Sequence, residues 1–115
     1  LSHIDYYCPS LEGRLPDCGS IGLLIEKTTG IKPMGNFGKP SQFMKEYIKN
    51  IIKNDDKNIL VGDRIHTDIE IGRKIGAKTI LVCSGEYKDI NVNRIDIQDT
   101  EIHNTLADFL RTLRW

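Results

Sequence analysis

Two short apolar runs, each followed at once by a polar loop, constrain the fold more than any other feature of this sequence. Ile59–Asp63 reads Ile-Leu-Val-Gly-Asp, and Lys78–Cys83 reads Lys-Thr-Ile-Leu-Val-Cys. Runs of this length that end at small and polar residues are typical of buried parallel strands. A helix between them is predicted to open at Thr67 or Asp68 and to end at Gly76. Strand, helix and strand in this order predict an α/β protein with right-handed crossovers.

Capping residues and apolar spacing of three and four residues predict the other helices. One helix opens at Asp17 or Ser20 and ends at Gly30. A second has Pro40 in its first turn, where the missing N–H costs nothing. The apolar positions that indicate these helices and a closing one are Ile21, Leu24 and Ile25, then Phe43, Met44, Tyr47, Ile48, Ile51 and Ile52, and finally Leu106, Phe109, Leu110 and Leu113.

The remaining segments are predicted to be irregular or only briefly extended. Prolines and glycines interrupt residues 5–19 every three or four positions, which predicts a loop. A short extended stretch is expected over residues 31–37, and a short strand over residues 94–97.

Charge and composition exclude several classes of protein. The chain has 16 Lys+Arg and 16 Asp+Glu, whereas binding to a nucleic-acid backbone needs an excess of basic residues. No apolar run approaches the roughly 20 residues that span a bilayer. The three cysteines, Cys8, Cys18 and Cys83, include no C-x-x-C pair, which favours free thiols in a reducing, cytoplasmic setting. We therefore expect neither nucleic acid nor a membrane as partner.

Two carboxylates flank the loop that follows the first apolar run. Asp63 and Asp68 stand in Gly-Asp-Arg-Ile-His-Thr-Asp. Ligands of parallel sheets bind outside the carboxyl ends of the strands, and Mg²⁺ takes one or two carboxylates together with waters and phosphate oxygens. The spacing fits a Mg²⁺ site. It also fits a structural role, in which Asp68 complements a helix dipole and Asp63 caps a loop.

The other reactive side chains give weaker signals. Lys39 is not a P-loop lysine, because Pro33 and Pro40 occupy the positions where that motif requires Gly and Ser or Thr. The histidines and cysteines lack the spacing of zinc ligands, and no G-x-S-x-G motif occurs. From the residues alone, Lys39 is an anion-binding residue or a solvated loop lysine.

Together these segments resemble the haloacid dehalogenase (HAD) phosphatases. The resemblance lies in Gly38–Ser41, Val61–Ile69, Ile75–Val82 and Ser84-Gly85, with one helix between the first two. The most similar subfamily carries a large inserted cap and includes 4-nitrophenylphosphatase, phosphoglycolate phosphatase and pyridoxal phosphatase. The resemblance implies a three-layer α/β fold with a Rossmann-like parallel sheet, which is the HAD-like core. Residues 1–30 would form the end of the cap and the return linker, and residues 31–115 the carboxyl-terminal half of the core.

The resemblance implies a role for each residue that matches the family's motifs. Lys39 would neutralise the nucleophilic carboxylate and the bound phosphoryl group, and Asp63 would bind Mg²⁺. Asp68 would orient the lysine and the water shell of the metal, which makes Lys39 and Asp68 the catalytic candidates of this chain. The residues expected on the phosphate side of the loops are Gly38, Lys39, Gly62 and Arg64.

Two departures from the family pattern stand out. Ser2-His3-Ile4-Asp5 occupies the place where family members have Thr-Asn followed two residues later by an acid. The family's nucleophile motif, D-x-D-G-[T/S], precedes the cap and does not occur in these 115 residues. We therefore expect the chain to be the carboxyl-terminal part of a longer protein, with the missing amino-terminal half as its partner.

Three hypotheses for function remain open at this point. The first is the back half of a Mg²⁺-dependent phosphomonoester hydrolase that acts on a small phosphorylated metabolite or 4-nitrophenyl phosphate, inactive as 115 residues alone. The second is a non-catalytic binding or regulatory module that retains an anion or metal site. The third gives the acids and the lysine structural roles only. A homodimer is a further expectation, because two copies could complete each other's sheet.

Overall fold

The computed structural model describes residues 1–52, 57–85 and 97–113. The chain begins with β1 (Tyr7–Ser10), β2 (Gly13–Pro16), α1 (Cys18–Thr29) and α2 (Gln42–Ile51). Next come β3 (Ile59–Gly62), a π-helical turn (Ile65–Ile69) and α3 (Glu70–Ile75). The described part ends with β4 (Lys78–Val82), β5 (Thr100–His103) and α4 (Leu106–Thr112).

A parallel three-stranded sheet organises the carboxyl-terminal part of the chain. Its strand order is β3-β4-β5, so β4 lies in the centre. Ile59 is paired with Lys78, and Thr79 is paired with Thr100. The π-helical turn and α3 make the crossover from β3 to β4. The predicted α/β class with a parallel sheet is confirmed.

The core forms where β4 meets the helices. Ile80 and Val82 of β4 pack with Phe109 of α4, and the partly buried Val61 and Leu113 pack against them. Among the described residues, the largest fully buried side chains are those of Ile69, Ile71, Ile80, Leu81 and Thr79. Because this packing fixes β3 and β4, it also fixes the points at which the loops after them leave the sheet.

The predicted helix ends are confirmed for α1 and, at its carboxyl end, for α3. Asp17 caps α1 by accepting a hydrogen bond from the Cys18 amide at 2.8 Å. Gly30 and Gly76 end α1 and α3 in the left-handed conformation. The closing helix is present as α4, with the Thr105 side chain as its cap.

The prediction of a loop over residues 5–19 is wrong, because β1 and β2 form an antiparallel hairpin there. Pro9 lies opposite Arg14, and Pro16 lies opposite Tyr7. Proline is tolerated at a strand edge where no ladder hydrogen bond is required from it. A two-stranded ribbon consists of edges only, so the two prolines do not prevent it.

Two predicted helix starts are also wrong. The side chain of Ser41 caps α2, which begins at Gln42, so Pro40 precedes the helix instead of lying in its first turn. The helical structure after β3 begins with the π-helical turn at Ile65, not at Thr67 or Asp68. Its Arg64 cap makes no side-chain hydrogen bond.

The two short extended segments have different outcomes. Residues 31–37 form no strand and run irregularly from α1 towards α2. Of the strand expected at residues 94–97, positions 94–96 lie outside the described residues, and Ile97 lies in a turn before β5. The division into residues 1–30 and 31–115 stays a prediction.

Helices α1 and α2 leave much of their apolar surface uncovered. Ile21, Leu24 and Ile25 of α1 are more than half exposed, and so are Tyr47 and Ile51 of α2. Within the part of the chain that the structure describes, no helix is long and apolar enough to cross a membrane.

Candidate functional site

A cleft of about 510 Å³ opens at the carboxyl end of β3 and gathers the residues singled out from the sequence. We call it the Lys39 cleft. Gly38 and Lys39 reach it from the segment before α2, and Asp63, Arg64 and Asp68 reach it from the loop and turn after β3. Of the six predicted site residues, these five line the cleft, while Gly62 packs against the Asp68 side chain. Residues that the sequence reasoning did not assign to the site also line it, namely Ser2, His3, Asp5, Asp17, Met44 and Thr67.

Lys39 and Asp68 form an ion pair across 29 residues of sequence. The Lys39 ammonium donates to Asp68 Oδ1 at 2.5 Å. The Asp68 side chain is 9% exposed, whereas that of Lys39 is 48% exposed. The lysine is therefore held by a buried carboxylate on one side and remains accessible from the cleft on the other.

The backbone of the loop after β3 wraps around the second oxygen of Asp68. The amides of Asp63 and Arg64 donate to Asp68 Oδ2 at 3.3 and 3.2 Å. Gly62 permits this approach, because a Cβ at that position would overlap the Asp68 side chain. A buried carboxylate is stable only when paired and hydrogen-bonded, and Asp68 has both kinds of partner.

Asp63 lies where the loops after β3 and β4 meet. Its carboxylate packs so closely against Gly85 that a Cβ on Gly85 would overlap Asp63 Oδ2. The loops after β3 and β4 therefore converge at the carboxyl end of the sheet. Within residues 1–52, 57–85 and 97–113, however, no three His, Cys, Asp or Glu side chains converge in a way that could hold a metal ion.

Asp5 and His3 enter the cleft from the start of the chain. Arg64 Nη1 donates to Asp5 Oδ2 at 2.9 Å, a contact between residues 59 positions apart. His3 lies between two carboxylates, with Nδ1 3.7 Å from Asp5 Oδ2 and Nε2 3.4 Å from Asp17 Oδ1. The sequence indicates these residues only as a departure, because Ser2-His3-Ile4-Asp5 stands where family members have Thr-Asn followed two residues later by an acid.

Two further features surround the cleft. The Ser2 hydroxyl donates to Cys18 Sγ at 3.2 Å, and this hydrogen bond holds the pKa of the thiol below its ordinary value. A second groove, of about 920 Å³, shares Asp63 and Arg64 with the Lys39 cleft and continues along Tyr6 and Tyr7. The two openings together extend from the end of the sheet to the hairpin.

A family model described as HAD-hydrolase-like matches residues 36–109, which include Lys39, Asp63 and Asp68. The chain belongs to this family. The HAD-like resemblance of the sequence is thereby confirmed.

Relatives and solved structures agree with this assignment. The chain is 36% identical over 101 residues to "Dihydroxyacetone phosphatase" of Corynebacterium glutamicum (strain R), covering 87% of this chain and 36% of the relative. It is 31% identical over 103 residues to "Ribonucleotide monophosphatase NagD" of Escherichia coli (strain K12), covering 87% and 41%. The structure of "p-nitrophenyl phosphatase from Archaeoglobus fulgidus" superposes with a TM-score of 0.75 at 30% identity, covering 96% of this chain and 44% of that one.

In each comparison, the matched region covers a much larger share of this chain than of the relative. Nearly all of this chain matches, but it spans less than half the length of the relatives named. The Rossmann-like HAD fold therefore applies to the described part of the chain.

Proposed function

We propose that this HAD-like chain is the carboxyl-terminal part of a Mg²⁺-dependent phosphomonoester hydrolase for small phosphorylated metabolites. The observation that carries the proposal is the Lys39–Asp68 ion pair in a cleft that Asp63 also lines. The names of the relatives, dihydroxyacetone phosphatase and ribonucleotide monophosphatase, support the same reaction class.

Lys39 is the residue to which we assign binding of the phosphoryl group. Phosphoryl transfer spreads negative charge over the equatorial oxygens of the transferred group, so catalysis requires positive charges fixed in advance. The ion pair with Asp68 holds the ammonium at the cleft and leaves it accessible. Asp68 itself is a positioning residue in this proposal, because both of its oxygens are engaged by Lys39 and by backbone amides.

Asp63 is the residue to which we assign Mg²⁺ binding. A single carboxylate fits this ion, which takes one or two protein carboxylates and completes its octahedron with waters and phosphate oxygens. The close contact between Asp63 and Gly85 fixes that carboxylate at the end of the sheet. When bound, Mg²⁺ would supply a second positive charge to the phosphoryl oxygens.

The nucleophile is assigned to a partner segment. In the resembled family it is an aspartate of the D-x-D-G-[T/S] motif, which the 115 residues lack, so we propose that an amino-terminal half supplies it. The groove along Tyr6 and Tyr7 leaves room for the rest of the phosphorylated molecule. A cytoplasmic location is favoured by the three free thiols.

The test combines the size of the native protein with its activity. The native product is detected with an antibody against this chain, purified, and assayed with 4-nitrophenyl phosphate, with and without Mg²⁺. We expect a polypeptide much larger than 13.1 kDa that contains a D-x-D-G-[T/S] motif and whose turnover is abolished by chelation and restored by Mg²⁺. A native 13.1 kDa product that binds phosphate or Mg²⁺ without turnover would contradict the proposal and support a binding module.

A further inference from the structure

The first five residues lie between the two loops that carry the candidate site. On one side, the Phe37 amide donates to the Leu1 carbonyl at 2.9 Å. Gly38 lies so close to the Ser2 carbonyl that a Cβ there would overlap it. On the other side, Asp5 accepts from Arg64. The segment therefore contacts both the loop of Lys39 and the loop of Asp63.

Asp5 is itself fixed from a third direction. The Gly19 amide donates to the Asp5 carbonyl at 2.8 Å, and the Asp17 amide donates to the Tyr6 carbonyl at 3.1 Å. These bonds tie the start of the hairpin to the amino-terminal end of α1. These two hydrogen bonds thus hold the backbone at Asp5 in place, and the Asp5 carboxylate accepts from Arg64 in that position.

Arg64 connects this anchor to the ion pair. Its guanidinium binds Asp5, while its backbone amide donates to Asp68 Oδ2, and Asp68 Oδ1 holds Lys39. One continuous series of polar contacts therefore runs from Asp5 through Arg64 and Asp68 to the lysine ammonium.

We propose that Asp5 is a positioning residue, which acts through Arg64 on the loop that holds the Asp68–Lys39 pair. Ion pairs exposed to this degree contribute little to folding stability; the Asp5 and Arg64 side chains are 36% and 38% exposed. A purely structural Asp5 should therefore change Lys39 no more than any other lysine. A positioning Asp5 changes Lys39 selectively. The catalytic consequence rests on the proposed function, but the effect on Lys39 does not.

The test measures how fast Lys39 is acylated by limiting acetic anhydride, relative to exposed Lys27 in the last turn of α1. Peptide mass spectrometry on the purified complete protein, which includes the amino-terminal half, quantifies both sites. Asp5→Asn and Arg64→Gln should each raise the Lys39/Lys27 ratio about threefold or more, and the double variant should add little, since the two groups act as one contact. Asp5→Glu should keep the ratio near that of the unchanged protein.

Arg111→Gln is the matched control, because Arg111 Nη1 makes an equally short pair with Asp108, 2.9 Å, on α4. It should leave the Lys39/Lys27 ratio unchanged. A ratio unaffected by Asp5→Asn would overturn the proposal, and so would acylation that rises equally at both lysines, because that result indicates unfolding.

Steady-state kinetics on the complete protein separates this inference from the proposed function. If the enzyme is active, Asp5→Asn should lower kcat more than it raises KM, and normal kcat with normal KM would overturn the positioning role. If no preparation hydrolyses 4-nitrophenyl phosphate, the proposed function fails, while a selective change at Lys39 still supports the coupling.

Discussion

At Lys39, the surroundings of the side chain differ from those of a lysine on an open, solvated loop. A lysine on an open loop would lie in water without a fixed direction. Here the ammonium is bound by a carboxylate that is only 9% exposed, and that carboxylate accepts from two backbone amides as well. The direction of the positive charge is therefore set before any ligand binds, which is what electrostatic stabilisation of a transition state requires.

Replacement of Lys39 by alanine should lower kcat more than it raises KM in the complete enzyme. The lysine acts on charge that develops during transfer, and one such donor contributes about 3–4 kcal/mol, or about 10²–10³-fold in rate. Lys39→Arg should restore activity only partly, because a planar fork replaces a point charge. Steady-state kinetics with 4-nitrophenyl phosphate measures both. Lys49→Ala, on α2, is the control, and near-normal turnover in Lys39→Ala would exclude the assigned role.

Replacement of Asp63 by asparagine should raise the Mg²⁺ concentration needed for half-maximal activity. Loss of a partner outside the ligand shell already weakens metal binding about 10–100-fold, so loss of a charged ligand should cost at least about tenfold. A titration of activity against Mg²⁺ gives the value. Asp99→Asn, in the turn before β5 at the opposite end of the sheet, is the matched control. An unchanged half-saturation point would return Asp63 to a structural role.

The predicted site residues that line the Lys39 cleft share one property, which is that their sequence signal is local. Lys39 follows Gly38 before a helix cap, and Asp63 and Asp68 lie within one short loop and turn. The Asp5–Arg64 contact joins residues 59 positions apart, and no short pattern indicates it. The sequence also left two interpretations of Asp68 open. A first-turn acid and a carboxylate wrapped by the loop amides have the same spacing, and only the π-helical turn after β3 distinguishes them.

At the scale of elements, capping chemistry and apolar spacing predicted α1, α2, α3 and α4, and the two apolar runs predicted β3 and β4. The hairpin was missed because Pro9 and Pro16 indicate interruption only where both edges of a strand must pair. β5 was missed because Thr100–His103 has little apolar content, and its stability depends on pairing with the buried β4. Such strands are defined by their neighbour, which local sequence does not describe.

The pairing of β4 with β5 leads to a prediction about acid stability. Lys78 Nζ lies 2.7 Å from Glu101 Oε2, and this bond, with a smaller contribution from His103, holds the pKa of Glu101 below its ordinary value of 4.5. The ionised carboxylate therefore stabilises the folded state above about pH 4.5, and this contribution is lost as the pH falls through the lower folded pKa.

Glu101→Gln should consequently lower the free energy of unfolding near neutral pH, and the difference from the unchanged protein should shrink on acidification. Urea unfolding of the complete protein at about pH 7 and about pH 3 measures the difference at both ends of this range. Glu12→Gln, in the exposed hairpin turn, is the control. A difference that stays constant with pH would show that the Lys78–Glu101 contact is not maintained in solution.

At the scale of the whole molecule, the sheet and its helices leave surfaces that need covering. Among the described residues β3 pairs only with β4, so its other edge presents unpaired backbone groups that can template association. Leu24 of α1 is 66% exposed, and Tyr47 and Ile51 of α2 are each 63% exposed. The sequence predicted these apolar stripes but could not show what covers them, because the covering partner lies outside the 115 residues in our proposal.

We therefore expect the 115 residues alone to hydrolyse no phosphate ester, and to fold poorly or to associate. Supplying an amino-terminal half that carries the nucleophile motif should give a one-to-one complex with Mg²⁺-dependent activity, because it would cover the edge of β3 and the exposed helix faces together. Size-exclusion chromatography with light scattering gives the mass, and a phosphatase assay gives the turnover. A stable, cooperatively unfolding monomer of 13.1 kDa would contradict the need for a covering partner. Turnover by the isolated chain would place the nucleophile within these residues and overturn its assignment to a partner.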